Sequence, residues 1–272
     1  EQEQRIEQNT QRQEPSAQRL RWTLPLLIAI VTFVVFFPAL QNGFVSWDDD
    51  GNFLENPSYR GLGWSQLRWM FTTFHGGHYQ PLSWMTLGLD YLLWGMEPWG
   101  YHLTNLLFHA ANAVLFFFVS LRLLSLAFFK TAVSGNLALH AAAGLAALIF
   151  SIHPLRVESV AWVTARRDLL SAFFLLLTLL CYLRASQVAE SVFTRRRWMT
   201  AAVLVYALSL LSKAIGMTLP VVLLALDVYP LRRLGGGPGR FDRTAHLERW
   251  FGPGVRRIWF EKVSFFLLAA IS

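Results

Sequence analysis

The ionisable side chains of this chain are gathered into a few short stretches between apolar runs, and any chemistry has to come from those stretches. The first is Trp47-Asp48-Asp49-Asp50, with Asn52, Glu55 and Asn56 close behind. Adjacent carboxylates repel one another, so one of them is held ready to accept a proton, as a general base must be. Asp48 and Asp49 are the candidates for that role, and the same pair is also suited to a divalent cation. The plainer alternative is a solvated turn in which an aspartate caps the next helix.

Two later stretches bring cations. One reads His153-Pro154-Leu155-Arg156-Val157-Glu158 and continues to Arg166-Arg167-Asp168. Arginine at a membrane boundary suits a phosphate, which it can grip through two parallel hydrogen bonds; snorkelling side chains are the alternative. The other is Lys213, in the short turn Ser212-Lys213-Ala214, where an ammonium would sit near lipid phosphates or serve as a flanking anchor. A fourth feature is the series His102, Asn105, His109 and Asn112 within one apolar run. At about 100° per residue these four fall on a stripe roughly 80° wide. Such a stripe has to face other helices or a wet cavity. Interhelical hydrogen bonding explains the deeper pair, while His102 and Asn105, nearer the helix start, are the candidates for binding a substrate. Two turns of separation make a two-histidine metal site a poor fit.

The elements that must position these groups are membrane helices. Apolar residues make up 54% of the 272 and charged residues only 15%, and the mean hydropathy is +0.37. Apolar runs approaching the roughly 20 residues that cross a bilayer predict spans at about 24–40, 101–124, 137–152, 169–183, 199–211 and 217–228. A seventh begins near Val263 and is cut off at Ser272, so the chain reads as the front part of a longer protein. The fold class expected is all-α, a polytopic bundle of about seven helices. Residues 1–21 read as a disordered polar arm, and the first span as an uncleaved signal anchor. Pro220 is expected inside a span, tolerated because neighbours re-satisfy the freed carbonyl. Between the first two spans, Pro81–Gly95 is apolar but too short to cross. Trp47, Trp64, Trp69, Trp84, Trp94 and Trp99 all lie nearby, and indole prefers the water–lipid boundary. Interfacial or re-entrant helices against the outer leaflet are therefore expected over 41–100. The single cysteine, Cys181, excludes an internal disulfide.

The net charge of +7 is spread between hydrophobic segments, which argues against a nucleic-acid partner. With the N-terminus cytoplasmic, 18 of the 24 Lys and Arg fall on inside segments. Arg60, Arg68, Arg156, Arg166, Arg167 and Lys213 remain outside. That bias fixes the orientation expected for an inner membrane with a periplasmic working face. Residues 231–262 then form a basic cytoplasmic loop resting on anionic lipid. The outer face would hold carboxylates that can take a proton and cations that can hold a phosphate. That pairing suits group transfer from a lipid-phosphate donor to a hydroxyl acceptor. A transporter for lipid-linked sugars is an alternative, but it should carry charges near the midplane and often an internal repeat, and neither is evident. An inert anchor for a further domain is the third reading.

Several blocks carry a resemblance. They are Val45-Ser46-Trp47-Asp48-Asp49, Asn56-Pro57, Tyr79-Gln80-Pro81-Leu82, Glu97-Pro98-Trp99-Gly100-Tyr101-His102-Leu103-Thr104-Asn105 with His109, His153-Pro154 through Glu158 to Val163, Arg166-Arg167-Asp168-Leu169-Leu170-Ser171, and Leu211-Ser212-Lys213. In order and spacing the chain resembles the membrane part of the transmembrane and tetratricopeptide-repeat O-mannosyltransferases and their bacterial relatives, which are GT-C glycosyltransferases. The resemblance implies a GT-C-like domain over 22–230, a polyprenyl-phosphate-linked sugar as donor, and a protein or glycan acceptor outside the cytoplasm. It implies a single inverting displacement, with Asp48 or Asp49 as base or near the acceptor. Arg166, Arg167 and Lys213 would stabilise the leaving phosphate, with His102, Asn105, His153, Glu158 and Asp168 also in the substrate site. Tetratricopeptide repeats would follow Ser272.

Overall fold

The computed structural model describes residues 20–128, 136–187, 191–235 and 250–272. Most of the expected arm at 1–21, and the middle of the expected basic loop, lie outside them. Among the described residues every regular element is helical. The helices are α1 (Leu20–Gln41), α2 (Trp64–Thr72), α3 (Pro81–Trp94), α4 (Pro98–Ala127), α5 (Asn136–Ile152), α6 (Arg156–Ala161), α7 (Arg166–Gln187), α8 (Val192–Ser212), α9 (Leu219–Val228) and α10 (Arg256–Ile271). Among the described residues three segments are long and apolar enough to cross a membrane: α1, α4 and Val163–Gln187, the last being α7 with the short turn before it. Helices α5, α8, α9 and α10 are shorter or more polar and pack alongside. The apolar runs understate most of these helices, because their ends carry charged side chains that a hydropathy count rejects and a helix end tolerates.

Small residues let the first half of the bundle close. Ala113 on α4 and Ala143 and Ala147 on α5 are fully buried beside Ile28 of α1, which brings the backbones together as membrane packing favours. The second half packs α7 closely against α8, with Tyr182, Tyr206, Leu223 and Phe265 joining α9 and α10 to it. Pro220 is the second residue of α9, which starts at Leu219. Proline is then in the first turn, where its missing N–H would have had no partner.

The region between α1 and α4 is a small folded layer with its own core of Phe53, Tyr59, Met70, Trp84, Leu87 and Tyr101. Pro81 starts α3, and Gly95, at φ +63°, stops it, a conformation glycine adopts without penalty. One glycine here is there for close approach: a Cβ on Gly88 would lie 2.6 Å from the carbonyl oxygen of Gly61 and 2.8 Å from that of Tyr59. That contact seats the 57–63 turn on α3. The expected tryptophan belt is divided. Trp47 and Trp64 are largely exposed, whereas Trp84 is in the core of the layer, stacked edge-on against Trp69 and His75. The outer face of α3 exposes Leu89, Leu92 and Leu93.

Candidate active site

The short segment that connects α5 to α7 is the meeting point of the predicted residues. Asp49 is completely buried and accepts three hydrogen bonds. Thr164 donates to Oδ1 from its backbone nitrogen at 3.1 Å and from its hydroxyl at 2.6 Å; Val45 donates its N–H to Oδ2 at 3.0 Å. Asn52 donates to the same Thr164 hydroxyl at 3.1 Å. The acid-rich turn after α1 is thereby fastened two residues before Arg166. Asp48, next in the chain, is half-buried and has no hydrogen-bond or ionic partner among the described residues. The two acids are adjacent in sequence and opposite in circumstance: Asp49 holds the backbone, and Asp48 is free. Both oxygens of Asp49 accept hydrogen bonds from the protein. Among the described residues no group of three or more His, Cys, Asp or Glu could hold a metal ion.

Arg166 is also fully buried, and not at a rim open to phosphate. Its guanidinium pairs with Asp90 at 2.7 Å, donates to the Tyr101 carbonyl at 2.8 Å, and donates through Nε to Asn105 Oδ1. Asp90 takes a further bond from the Thr104 hydroxyl at 2.8 Å. Burial pushes the Asp90 carboxyl above its ordinary range, and the guanidinium works against that push. A buried charge needs a partner of this kind, and the sequence placed Arg166 on a polar segment because its partner lies 76 residues away. The signal that would have found the pair is Asp90 itself, an acid within the apolar stretch Pro81–Gly95.

The stripe on α4 works as a set of ties to neighbouring segments along its whole length. His102 bonds the Gly43 carbonyl at 3.3 Å, and Asn105 donates to the Trp162 carbonyl at 3.1 Å. His109 bonds the Ser151 carbonyl at 2.8 Å, and Asn112 donates to that of Leu169 at 2.9 Å. His102 and Asn105 are therefore inside the protein, where they hold the first loop and the α5–α7 connection to α4.

The remaining candidates are accessible. Lys213 pairs with Asp168 at 2.6 Å, with the two side chains 29% and 32% exposed. His153 and Glu158 are exposed, and His153 Nδ1 accepts the N–H of Leu155 at 3.2 Å to start the turn into α6. Asp168 also lines a cavity of about 370 Å³ between α4, α5, α6 and α7, together with Arg156, His109, Asn112, Phe150 and Leu176. Arg156 lies over the Phe150 ring at 4.6 Å. Its buried Nε has no hydrogen-bond partner among the described residues, and neither do Trp162 Nε1 and Arg167 Nε on the following segment. The cavity thus has Arg156 and Asp168, near the starts of α6 and α7, on one side and apolar walls including Phe150, Leu175 and Leu176 on the other.

Fold and site together define an all-helical membrane bundle with a cavity lined by Arg156 and Asp168. Within that class the chain is a homologue of proteins named protein O-mannosyl-transferases. It is 33% identical over 164 residues to tmtc2 of Xenopus laevis, covering 60% of this chain and 18% of that protein. It is 32% identical over 223 residues to Tmtc2 of Drosophila melanogaster, 78% of this chain and 22% of the relative. It is 32% identical over 206 residues to human TMTC4, 71% and 27%. The chain spans about a fifth to a quarter of the length of these relatives. No protein-family model matches the chain, and no solved structure does.

Proposed function

We propose that this chain is the membrane part of a glycosyltransferase that moves a hexose, mannose by analogy with the relatives' names, from a polyprenyl-phosphate donor to a hydroxyl on an extracytoplasmic protein. The observation that carries the reading is the bond between Asp49 and Thr164. It draws the first-loop acids onto the segment bearing Arg167 and Asp168, so a base and a phosphate site are neighbours. Asp48 takes the proton from the acceptor hydroxyl. The hydroxyl oxygen then bonds to the anomeric carbon, and the bond from that carbon to the phosphate oxygen breaks with inversion. The electron pair leaves on the phosphate, where Arg156, Arg167 and Lys213 offset the charge. Asp49, Arg166, His102 and Asn105 position these groups without touching the sugar. The prenyl tail follows the apolar wall of the 370 Å³ cavity. The acidic loop faces away from the cytoplasm, consistent with the distribution of Lys and Arg.

The test is sugar transfer in membranes that carry the protein with Asp48→Asn. General-base catalysis contributes about 10²–10⁴-fold, so transfer should fall by that factor while the amount of inserted protein is unchanged. Undiminished transfer by the Asp48→Asn, Asp49→Asn double variant would remove the proposal.

A further inference from the structure

At the end of the bundle away from Asp48, a second cavity of about 630 Å³ opens among α1, α4, α5, α7 and α8. Three arginines from three different helices line it: Arg21 of α1, Arg122 of α4 and Arg184 of α7. Each is close enough for Arg122 to feel the charge of both others. Among the described residues none of the three has a carboxylate within salt-bridge distance or donates a hydrogen bond to a protein group. The described acids nearest this end are already engaged: Asp227 pairs with Arg233 and Lys262, and Glu261 with Arg195 and Arg233. Those acids pair with Arg195, Arg233 and Lys262, and the three arginines that line the cavity have no ionic partner among the described residues.

Like charges converging on one cavity repel, and an anion with several acceptor oxygens turns that repulsion into attraction. Guanidinium forks match phosphate better than a monatomic ion, and the cavity is many times the size of one. Its remaining wall includes Trp198 of α8 and apolar side chains such as Leu177 of α7. Indole at a headgroup level and aliphatic surface below it are what a lipid-binding site presents to its ligand. We propose that this cavity binds the phosphate of an anionic membrane lipid, with the head group between Arg21, Arg122 and Arg184 and an acyl chain along Leu177. Unpaired snorkelling arginines, by contrast, would show no preference among lipids beyond the charge of the surface.

Cys181 lines the same cavity and is the only cysteine of the chain, so its alkylation by an uncharged maleimide reports occupancy in the unaltered protein. In phosphatidylcholine vesicles containing phosphatidylglycerol, alkylation should be about tenfold slower than in phosphatidylcholine alone, as expected for loss of access behind two or more charge-assisted bonds. Arg122→Gln with Arg184→Gln should remove most of that protection. Arg122→Lys with Arg184→Lys keeps the charge that orients the chain but not the forks, and should protect less than the natural pair. It decides the matter if the glutamine pair fails to insert. Inorganic phosphate added to phosphatidylcholine vesicles should leave the rate unchanged. Equal rates in the two lipids, or equal protection in the arginine and lysine pairs, would overturn the proposal; protection by inorganic phosphate alone would overturn its lipid part.

Discussion

Helix α7 begins in one charged cluster and ends near another, and the two differ in what they leave over. Near its end, Asp227 contacts Lys262 at 2.6 Å and Arg233 at 3.0 Å. Glu261 contacts Arg233 at 2.6 Å and also Arg195. The Tyr182 hydroxyl donates to Asp227 at 2.7 Å, and the cluster closes on itself. It fastens α10 and the turn after α9 to α7. At the start of α7, Arg166 and Asp90 form an equally buried pair, but the segments tied together there also carry Asp48, Glu158, Arg156 and Arg167, which have no ionic partner among the described residues. Lys213 and Asp168 meet in partly open surroundings. One cluster is consumed by architecture. The other has a consumed centre and an accessible rim, and only a rim of that kind is free to bind and to exchange protons.

The comparison breaks first if the closed cluster can lose a member cheaply. Asp227→Ala strands the buried Lys262 and leaves Arg233 with Glu261 alone, and removing one partner of a buried pair costs about 3–5 kcal/mol. Thermal unfolding in detergent should show a larger loss of stability for this variant than for any single substitution at the start of α7. Next comes Arg166→Met, expected near the lower end of that same range of about 3–5 kcal/mol, because the stranded Asp90 keeps its bond from Thr104 and can take up a proton. Adding Asp90→Leu should recover most of the loss. No recovery in the double variant would mean that Arg166 does more than neutralise one buried acid.

The helices were legible in the sequence because hydrocarbon burial leaves a long uniform run. The roles of individual polar residues were not. Arg166 and Arg167 are neighbours with the same side chain, yet α7's start turns one into the bundle toward Asp90 and leaves the other at its edge. Asp48 and Asp49 divide in the same way, according to which carboxylate reaches the Thr164 N–H. Nothing local distinguishes them, because the deciding partners lie 76 and 115 residues away. Pairing across that distance is a property of the packed bundle. The α4 stripe was the exception: its spacing announced an inward face, and every member of it does bond to a neighbouring segment.

Two smaller effects sharpen the contrast between centre and rim. Asp49→Ala leaves the Thr164 and Val45 N–H groups without an acceptor, at a cost of about 1–3 kcal/mol. Asp49→Asn should cost less, since its carbonyl oxygen can still accept from Thr164. Activity should follow stability in both, because Asp49 is fully buried and both its oxygens are hydrogen-bonded within the protein. Lys213→Ala should behave in the opposite way. The ion pair with Asp168 is about a third exposed on each side, and pairs of that kind contribute about 0–1 kcal/mol. Unfolding should therefore barely shift, while donor binding weakens if the ammonium faces the lipid phosphate. Binding of a polyprenyl-phosphate sugar to the purified Lys213→Ala protein, followed beside its melting curve, separates the two. A loss in both together would return Lys213 to the architecture and shrink the rim to Asp48 and the arginines.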